Sequence, residues 1–407
     1  MISIEEAISI IGNNKFALET EVIPLTEADG RVLNEDIAAP RHSPRCTNSA
    51  MDGFAVKWED VVPASIDKPV VLQIIGESRA GIPFEGTVLP GQAIRISTGA
   101  MLPSDVDTII RIEDTERNFD KVTILRAKSF QQYVRQAGEE LQGGDLLLRK
   151  GTELFPPHLA LLASVGVFKV PVFRKAKVAL VVTGNELMPI GQPAAPHQTW
   201  DSNTLMLSTA IRQDGGEVTY TGQVEDCLEA ITAVIRKVAV HNNILIFSGG
   251  VSVGTHDHVQ EATEQAGFLR LFWKVHQKPG MPLLCAKRDN TLLFGLPGNP
   301  VSAFMTYIYY IKPLIWRMQG KEFAWNIIKA RLEDTITNVH DRKFFFRVVI
   351  SKQMDGQKVV RGYQNQDSHI LSSVALSDGF IIINNESTVP KGSWVDVYLF
   401  PWKTNCT

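Results

Sequence analysis

The chain has 407 residues, 44% of them apolar and 21% charged, with a formal net charge of −3 at pH 7. That length exceeds what one hydrophobic core serves and predicts roughly two to four domains, and the near-neutral charge excludes a general attraction to nucleic acid. No run of about 18 apolar residues appears, so no membrane span is expected. The acidic N-terminus MISIEEAISI lacks a basic leader, so no signal peptide is expected either.

Ile2, Ile4, Ala7, Ile8 and Ile11 recur at helical spacing and predict a helix over 2–12. From about 20 to 175, short β-like runs such as 70–75 and 107–112 are split by Gly and Pro. They predict a β-rich region with one helix, Pro156–Ser164, opened by a Pro-Pro pair. From 176 the pattern changes. A continuous apolar strand at 178–183 ends in Gly184, followed by a helix at 203–212, a strand at 217–224, a helix at 228–240 and a strand at 243–247. Strands alternating with helices predict βαβ units, hence a parallel sheet covered on both faces. Short strands at 282–286 and 291–295 and a long helix at 300–318 complete that unit. After 325, strand-like runs at 327–332, 344–350, 379–383 and 394–400, with no helix between them, predict a separate β domain of about 80 residues. Cys46, Cys227, Cys285 and Cys406 show no CxxC or zinc-ligand spacing and predict buried thiols in a reducing, cytoplasmic setting.

Acids follow the first strands of the α/β unit. Glu186 stands two residues past Gly184, and Asp226 follows the strand at 217–224. Asp257 follows the glycine-rich stretch containing Ser248, Gly249, Gly250, Ser252 and Gly254. Parallel strands finish on one edge, where ligands bind, so these loops are expected to converge. Carboxylates brought together repel unless a cation joins them, and oxygen-only ligands favour Mg²⁺. The glycine amides are expected to take an anion. Gly298, Asn299 and Ser302 lie at or near the start of the helix at 300. The stretch 273–282 contributes Lys274 and Lys278, and Lys278, just before Pro279-Gly280, sits in a turn able to reach phosphate or oxyanion. Each feature also has a plainer reading: tight packing for the glycines, helix capping for the acids, surface charge for the lysines, and solvent exposure for His256 and His258. Their conjunction on one edge predicts a phosphate-ligand crevice. Upstream, Asp52-Gly53 reads as a β-turn, and the stretches 95–100 and 135–140 mix charge with glycine without assigning chemistry.

Taken together, NSAMDGFAV (48–56), RISTGAMLP (95–103), Gly-Glu-Glu at 138–140, VVTGNEL (181–187), SGGVSVG (248–254), KPG (278–280), GLPGNPVS (295–302) and SHILSS (368–373) closely resemble the molybdopterin molybdenumtransferase family (MoeA and the C-terminal part of gephyrin) over essentially the whole chain. The resemblance implies a multidomain α/β plus β fold. Its central doubly wound α/β domain (1–19 and 176–322) is molybdopterin-adenylyltransferase-like. The β-rich N-terminal domains are a linking domain (20–40 and 141–175) and an inserted domain (41–140), and the C-terminal β-barrel spans 323–407. It also implies a homodimer whose cleft forms between the α/β domain of one subunit and residues of its partner. The implied reaction inserts molybdate into adenylylated molybdopterin (molybdopterin-AMP) with Mg²⁺ and releases AMP. Asp52, Thr98, Glu140, Glu186, Asp257 and Lys278 are the implied catalytic positions. Glu186, Asp226 and Asp257 would hold the metal, and Pro297, Pro300 and Ser368 join the glycine loop and helix turn in binding. Lys278 with Arg or Ser groups would hold molybdate.

Three positions depart from the family pattern. Met281 stands where a lysine is common, Asn185 where the TGDE segment has aspartate, and Glu140 where aspartate is common. Two other functions compete with the transferase: molybdopterin adenylylation, and a non-catalytic scaffold or cofactor-binding role for a divergent paralogue. A molybdopterin adenylyltransferase is a candidate partner.

Overall fold

The computed structural model describes residues 1–251, 258–353 and 356–403. The chain forms two compact units, one of Met1–Glu21 with Val172–Thr407 and the other of Val22–Pro171.

The larger unit begins with α1 (Ile4–Asn13). It starts two residues later than the apolar spacing predicts because Ser3 caps it: the Ser3 hydroxyl accepts the Glu6 N–H at 3.0 Å, and the Glu6 carboxylate accepts the Ser3 N–H at 3.2 Å. The α/β layer follows as β1 (Lys177–Thr183), α2 (Ser202–Gln213), β2 (Glu217–Val224), α3 (Leu228–Ala239), β3 (Ile244–Ser248), α4 (Val259–Gln265), β4 (Leu269–Trp273), β5 (Gln277–Lys278), β6 (Leu284–Arg288), β7 (Thr291–Leu296) and α5 (Pro300–Thr306). Among the described residues the sheet has the order β2-β1-β3-β7-β6-β4. β2, β1, β3 and β7 are mutually parallel.

Side chains alternate across these strands. Val178, Leu180, Ile244, Ile246 and Phe294 share one core with Ile11 of α1, Leu207 of α2 and Phe304 of α5. Ala179, Val181, Leu245, Phe247 and Leu293 share another with Ile231 of α3 and Val259 of α4. Both faces are dry, which is why these strands read as unbroken apolar runs rather than alternating ones. The long helix expected at 300–318 is interrupted by a π-helical segment, Tyr307–Ile311. The wide turn ends two residues ahead of Pro313, whose nitrogen cannot donate to the preceding turn.

Two features of the sheet edge go beyond the expected parallel strands. β6 and β7 are antiparallel, because Asp289 and Asn290 alone join them and two residues cannot make a parallel crossover. β4 was not expected; it pairs antiparallel with β6 at the sheet edge, where Arg270 breaks its apolar pattern.

The C-terminal part closes into a barrel of β8 (Ile327–Leu332), β9 (Lys343–Lys352), β10 (Lys358–Gly362), β11 (Gly379–Ile383) and β12 (Trp394–Leu399). Its ring order is β9-β10-β8-β12-β11, returning to β9, and closure leaves no free edge among these strands. Leu332, Val348, Val360, Ile381 and Val397 fill it. The expectation that no helix lies between these strands is wrong by one turn, Ser372–Ala375, whose Val374 buries itself in the α/β core. β5 pairs beside β9, Gln277 with Lys343 and Lys278 with Phe344.

The smaller unit holds a sheet in the order Thr108–Arg111, Gly53–Val56, Gln92–Ile96, Val70–Ser78, Lys121–Ile124 and Thr115–Asn118. Phe54, Ala93 and Ile110 face one core, while Ala55, Ile94 and Ile109 face the other. The helix Pro156–Ser164 forms as expected, and a short helix at Trp58–Val61 adds to it. Among the described residues no helix is long and apolar enough to cross a membrane. Of the thiols expected to be buried, only Cys285 is; Cys46 and Cys227 are half-buried, and Cys406 lies outside the described residues.

Candidate active site

β1 lies between β2 and β3, so the chain leaves it first toward one side and then toward the other. Successive loops diverge at such a switch point and open a crevice beyond the strand ends. A cavity of about 1240 Å³ sits there. It is lined by Thr183, Gly184, Glu186, Asp226, Ser248, Gly249, Gly250, Lys278, Pro297, Gly298, Asn299, Pro300, Ser302 and Ser368.

Glu186 and Asp226 both line this cavity. Gln223 near the end of β2 donates to the carbonyls of Gly184 at 2.8 Å and Leu187 at 3.2 Å, tying the two acid-bearing loops together. The Glu186 carboxylate folds over Gly184, whose φ is +145°; a Cβ there would stand 2.7 Å from Glu186 Oε2. Asp257, Ser252, Gly254 and His256 lie outside the described residues. His258, expected in solvent, is half-buried at the N-cap of α4.

The glycine loop is shaped by backbone crowding. Gly249 has φ +103°, and a Cβ on it would lie 2.7 Å from the Thr183 carbonyl oxygen. Gly250 has φ +64°, with Thr183 Oγ1 3.0 Å and Asp226 Oδ1 3.3 Å from its hypothetical Cβ. The Gly249 N–H does not face an anion, contrary to expectation; it donates to the Leu296 carbonyl at 3.0 Å. Asn203, which the sequence placed only at a helix start, clamps this loop to the next. Its side-chain amide donates to Ser248 Oγ at 2.9 Å and to the Gly298 carbonyl at 2.8 Å.

At the start of α5, Asn299 donates to Ser368 Oγ at 2.9 Å, and the Val301 N–H donates to the Ser368 carbonyl at 3.2 Å. One of the helix-opening amides expected for an anion is therefore spent on a barrel loop.

The cationic lining was the least expected part. Lys278 Nζ lies 2.6 Å from His340 Nε2 and 5.0 Å from the centroid of the Phe344 ring. Arg342 Nη1 approaches Met281 Sδ at 2.8 Å, where the family pattern has a lysine. Both His340 and Arg342 line the cavity with Asp367. Burial lowers the Lys278 ammonium pKa; Arg342 and Arg347 push the same way, and Asp367 opposes them. Beneath them Arg347 is fully buried, its guanidinium pushed down to about 10 by burial and bonded to Ser373 Oγ and the carbonyls of Phe345 and Asp367. Lys274 does not join this group: its ammonium sits over the Trp273 indole, 3.9 Å from the centroid, away from the residues lining the cavity.

Asp52, Thr98 and Glu140 belong to the smaller unit. The Thr98 N–H and hydroxyl both donate to Asp52 Oδ1, at 2.6 and 3.1 Å, and the Ser43 hydroxyl donates to Glu140 Oε2 at 2.8 Å. All three side chains are exposed.

The donor set suits a hard cation. Glu186 and Asp226 supply carboxylate oxygens, and Thr183 Oγ1 is buried without a hydrogen-bond partner among the described residues. These are the all-oxygen donors that Mg²⁺ takes while keeping waters and substrate phosphates. Among the described residues no group of three or more His, Cys, Asp or Glu side chains is placed to hold a metal ion, so the protein would supply only part of the coordination.

Family models match the chain in three stretches: the MoeA N-terminal region (domain I and II) over residues 2–166, a probable molybdopterin binding domain over 179–317, and the MoeA C-terminal region (domain IV) over 329–400. A molybdopterin molybdenumtransferase of Haemophilus influenzae is 32% identical over 410 residues, covering 98% of this chain and 99% of its own. The chain belongs to the molybdopterin molybdenumtransferase family. Molybdopterin molybdenumtransferase 2 of Mycobacterium tuberculosis is also 32% identical, over 94% of this chain and 95% of its own. The crystal structure of a molybdopterin biosynthesis MoeA protein from Pyrococcus horikosii matches with a TM-score of 0.83 at 32% identity, covering 98% of this chain and 99% of that one. Most of the cavity lining comes from the stretch matched by the probable molybdopterin binding domain; His340, Arg342 and Ser368 come from the C-terminal region.

Proposed function

We infer that this chain is a molybdopterin molybdenumtransferase of molybdenum cofactor biosynthesis, and we propose that it inserts molybdate into adenylylated molybdopterin with Mg²⁺, releasing AMP. One observation carries the reading: a single cavity is lined by the carboxylates Glu186 and Asp226 and by the cationic side chains Lys278 and Arg342. Such a site takes a metal-neutralised phosphate and an oxyanion together.

Bound Mg²⁺ would neutralise charge on the pyrophosphate that links pterin to AMP. Glu186, Asp226 and Asp257 would hold it. Gly249 and Gly250 pack the loop against Thr183, where no Cβ fits, and keep its backbone in the cavity wall beside the phosphates. Lys278 and Arg342 hold the molybdate oxyanion, and Arg342 beside Met281 supplies a cation where the family pattern has lysine. Ser368, held by Asn299, offers a hydroxyl to the same guest. Water attacks the AMP phosphorus, or a molybdate oxygen does so and the resulting P–O–Mo link is then hydrolysed. In both cases the P–O bond to the molybdopterin phosphate breaks, that phosphate leaves, and no side-chain nucleophile is needed. Asp52, Thr98 and Glu140 are assigned to the reaction by the family motifs that contain them, and a homodimer is the proposed assembly. A molybdopterin adenylyltransferase would deliver the substrate in the cytoplasm, a compartment that suits the free thiols.

The test incubates the purified chain with adenylylated molybdopterin, Mg²⁺ and molybdate. AMP release that requires molybdate supports the proposal. Adenylate formation from ATP, or retention of pterin without release, contradicts it. Sedimentation of the same preparation as a monomer would remove the homodimer.

A further inference from the structure

A lysine ammonium ends a flexible four-carbon stem, so whatever holds its nitrogen decides where the charge sits. Lys278 enters the cavity from β5, whose pairing with Phe344 of β9 sets its backbone. Its Nζ then meets His340 Nε2 at 2.6 Å. His340 is itself held in place. Its N–H donates to Asn338 Oδ1 at 3.1 Å, and its carbonyl accepts the Glu386 N–H at 2.9 Å. Asn338 is buried, and its amide nitrogen donates at 2.8 Å to the carbonyls of Arg342 and Asn384. The turn at 338–342 is thus buckled to the neighbouring strand end, with the imidazole set against Lys278.

An ammonium only donates, so His340 Nε2 must accept, which requires the neutral ring protonated at Nδ1. The charged groups facing this pair are Arg342, Arg347, Asp341 and Asp367. Burial lowers the His340 pKa, the Lys278 and Arg342 cations lower it further, and Asp341 opposes them. The neutral, accepting form is therefore the one present near neutrality.

The geometry points to His340 as a positioning residue for the transferase reaction: its neutral imidazole holds the Lys278 ammonium at one place in the cavity. The consequence for molybdate rests on the proposed function of Lys278; the contact itself does not. As pH falls through the depressed His340 pKa, a proton occupies Nε2, the acceptor is lost, and two cations stand side by side. Lys278 is then released, and molybdate binding weakens on the acidic side. His340→Gln keeps an oxygen acceptor near the place of Nε2 but cannot titrate. His340→Phe keeps a ring and loses the acceptor.

Molybdate-dependent AMP release is measured for the full-length wild type and both variants across the pH range in which imidazole titrates. At neutral pH, His340→Phe is expected to raise the molybdate KM about tenfold with little change in kcat, the scale of one charge-assisted hydrogen bond. His340→Gln should recover most of that loss and flatten the acidic limb. The same KM and the same acidic limb in all three chains would overturn the inference. A second measurement needs no substrate: NMR titration of the His340 ring in the wild type and in Lys278→Met. Removing the cation should move the ring's titration to higher pH, and an unmoved titration would equally overturn the pairing. A wild type that releases no AMP, yet shows the NMR shift, would sink the proposed function while upholding the contact.

Discussion

Asn299 at the start of α5 and Ser368 in a barrel loop, far apart in sequence, are joined side chain to side chain at 2.9 Å. Two residues on, the Val301 N–H donates to the Ser368 carbonyl at 3.2 Å, so the α/β layer and the barrel loop are tied twice at the cavity wall.

Asn299→Ala should therefore loosen the Ser368 loop while costing only about 1 kcal/mol of stability, the net worth of an exposed hydrogen bond. AMP release is expected to fall about tenfold in kcat/KM, a loss equivalent to about 1.4 kcal/mol. Steady-state kinetics beside a thermal melt check this. Unchanged kcat/KM would take the Asn299–Ser368 bond out of the working site.

The carboxylate edge makes a separate prediction. Asp226→Asn and Glu186→Gln each remove one charged oxygen donor without changing side-chain size. Both should raise the Mg²⁺ concentration needed for half-maximal AMP release by about tenfold or more, with the fold intact by circular dichroism. Magnesium titrations that superimpose on the wild type would refute the metal assignment.

Gly249→Ala tests the loop's geometry rather than its charge. The position has φ +103°, and the added methyl would meet the Thr183 carbonyl at 2.7 Å. The left-handed backbone alone costs about 1–2 kcal/mol for a residue with Cβ, before the clash. A lower melting temperature and loss of turnover are expected together. A stable, active variant would show that the loop rearranges without cost.

Behind the site, Asp214 follows α2 and collects donors from the long helix: Lys312 Nζ, the Tyr307 hydroxyl at 2.8 Å and the Trp316 indole at 3.2 Å. Burial, with the Asp214 carboxylate adding to it, raises the Tyr307 phenol well above its usual range, so it remains a donor. Asp214→Ala strands a nearly buried ammonium, a loss that typically costs about 3–5 kcal/mol. Denaturant unfolding should show a loss of that size, and a change below about 1 kcal/mol would mean that water reaches Lys312 freely.

Local pattern was sufficient where one strand or one turn carried the information. The dry faces of β1 and β3 appear as unbroken apolar runs, and the acids just past β1 and β2 followed from those runs once the strands were parallel. It failed where partners come from elsewhere in the chain. The turn around Lys274 and Lys278 offers two lysines of equal local character. Only the pairing of β5 with β9 selects Lys278, leaving Lys274 over an indole. His340 and Arg342 carry no motif, because their neighbours in the cavity lie some sixty residues earlier. Asn203 was legible as a helix start but not as a clamp, since both its acceptors belong to later loops.

From its order of residues alone this chain determined a parallel α/β layer, a β-rich region before it, a β domain after it, and the acids and glycines at the strand tips. Those features depend on the periodicity of side chains along a few consecutive residues. Tertiary structure decided the antiparallel edge of the sheet, the closure of the barrel, the spending of the Gly249 and Val301 amides on other loops, and the company of Lys278. Each depends on which distant segments pack together, and a hydrogen bond or an electrostatic shift is set by that neighbour rather than by position in the chain.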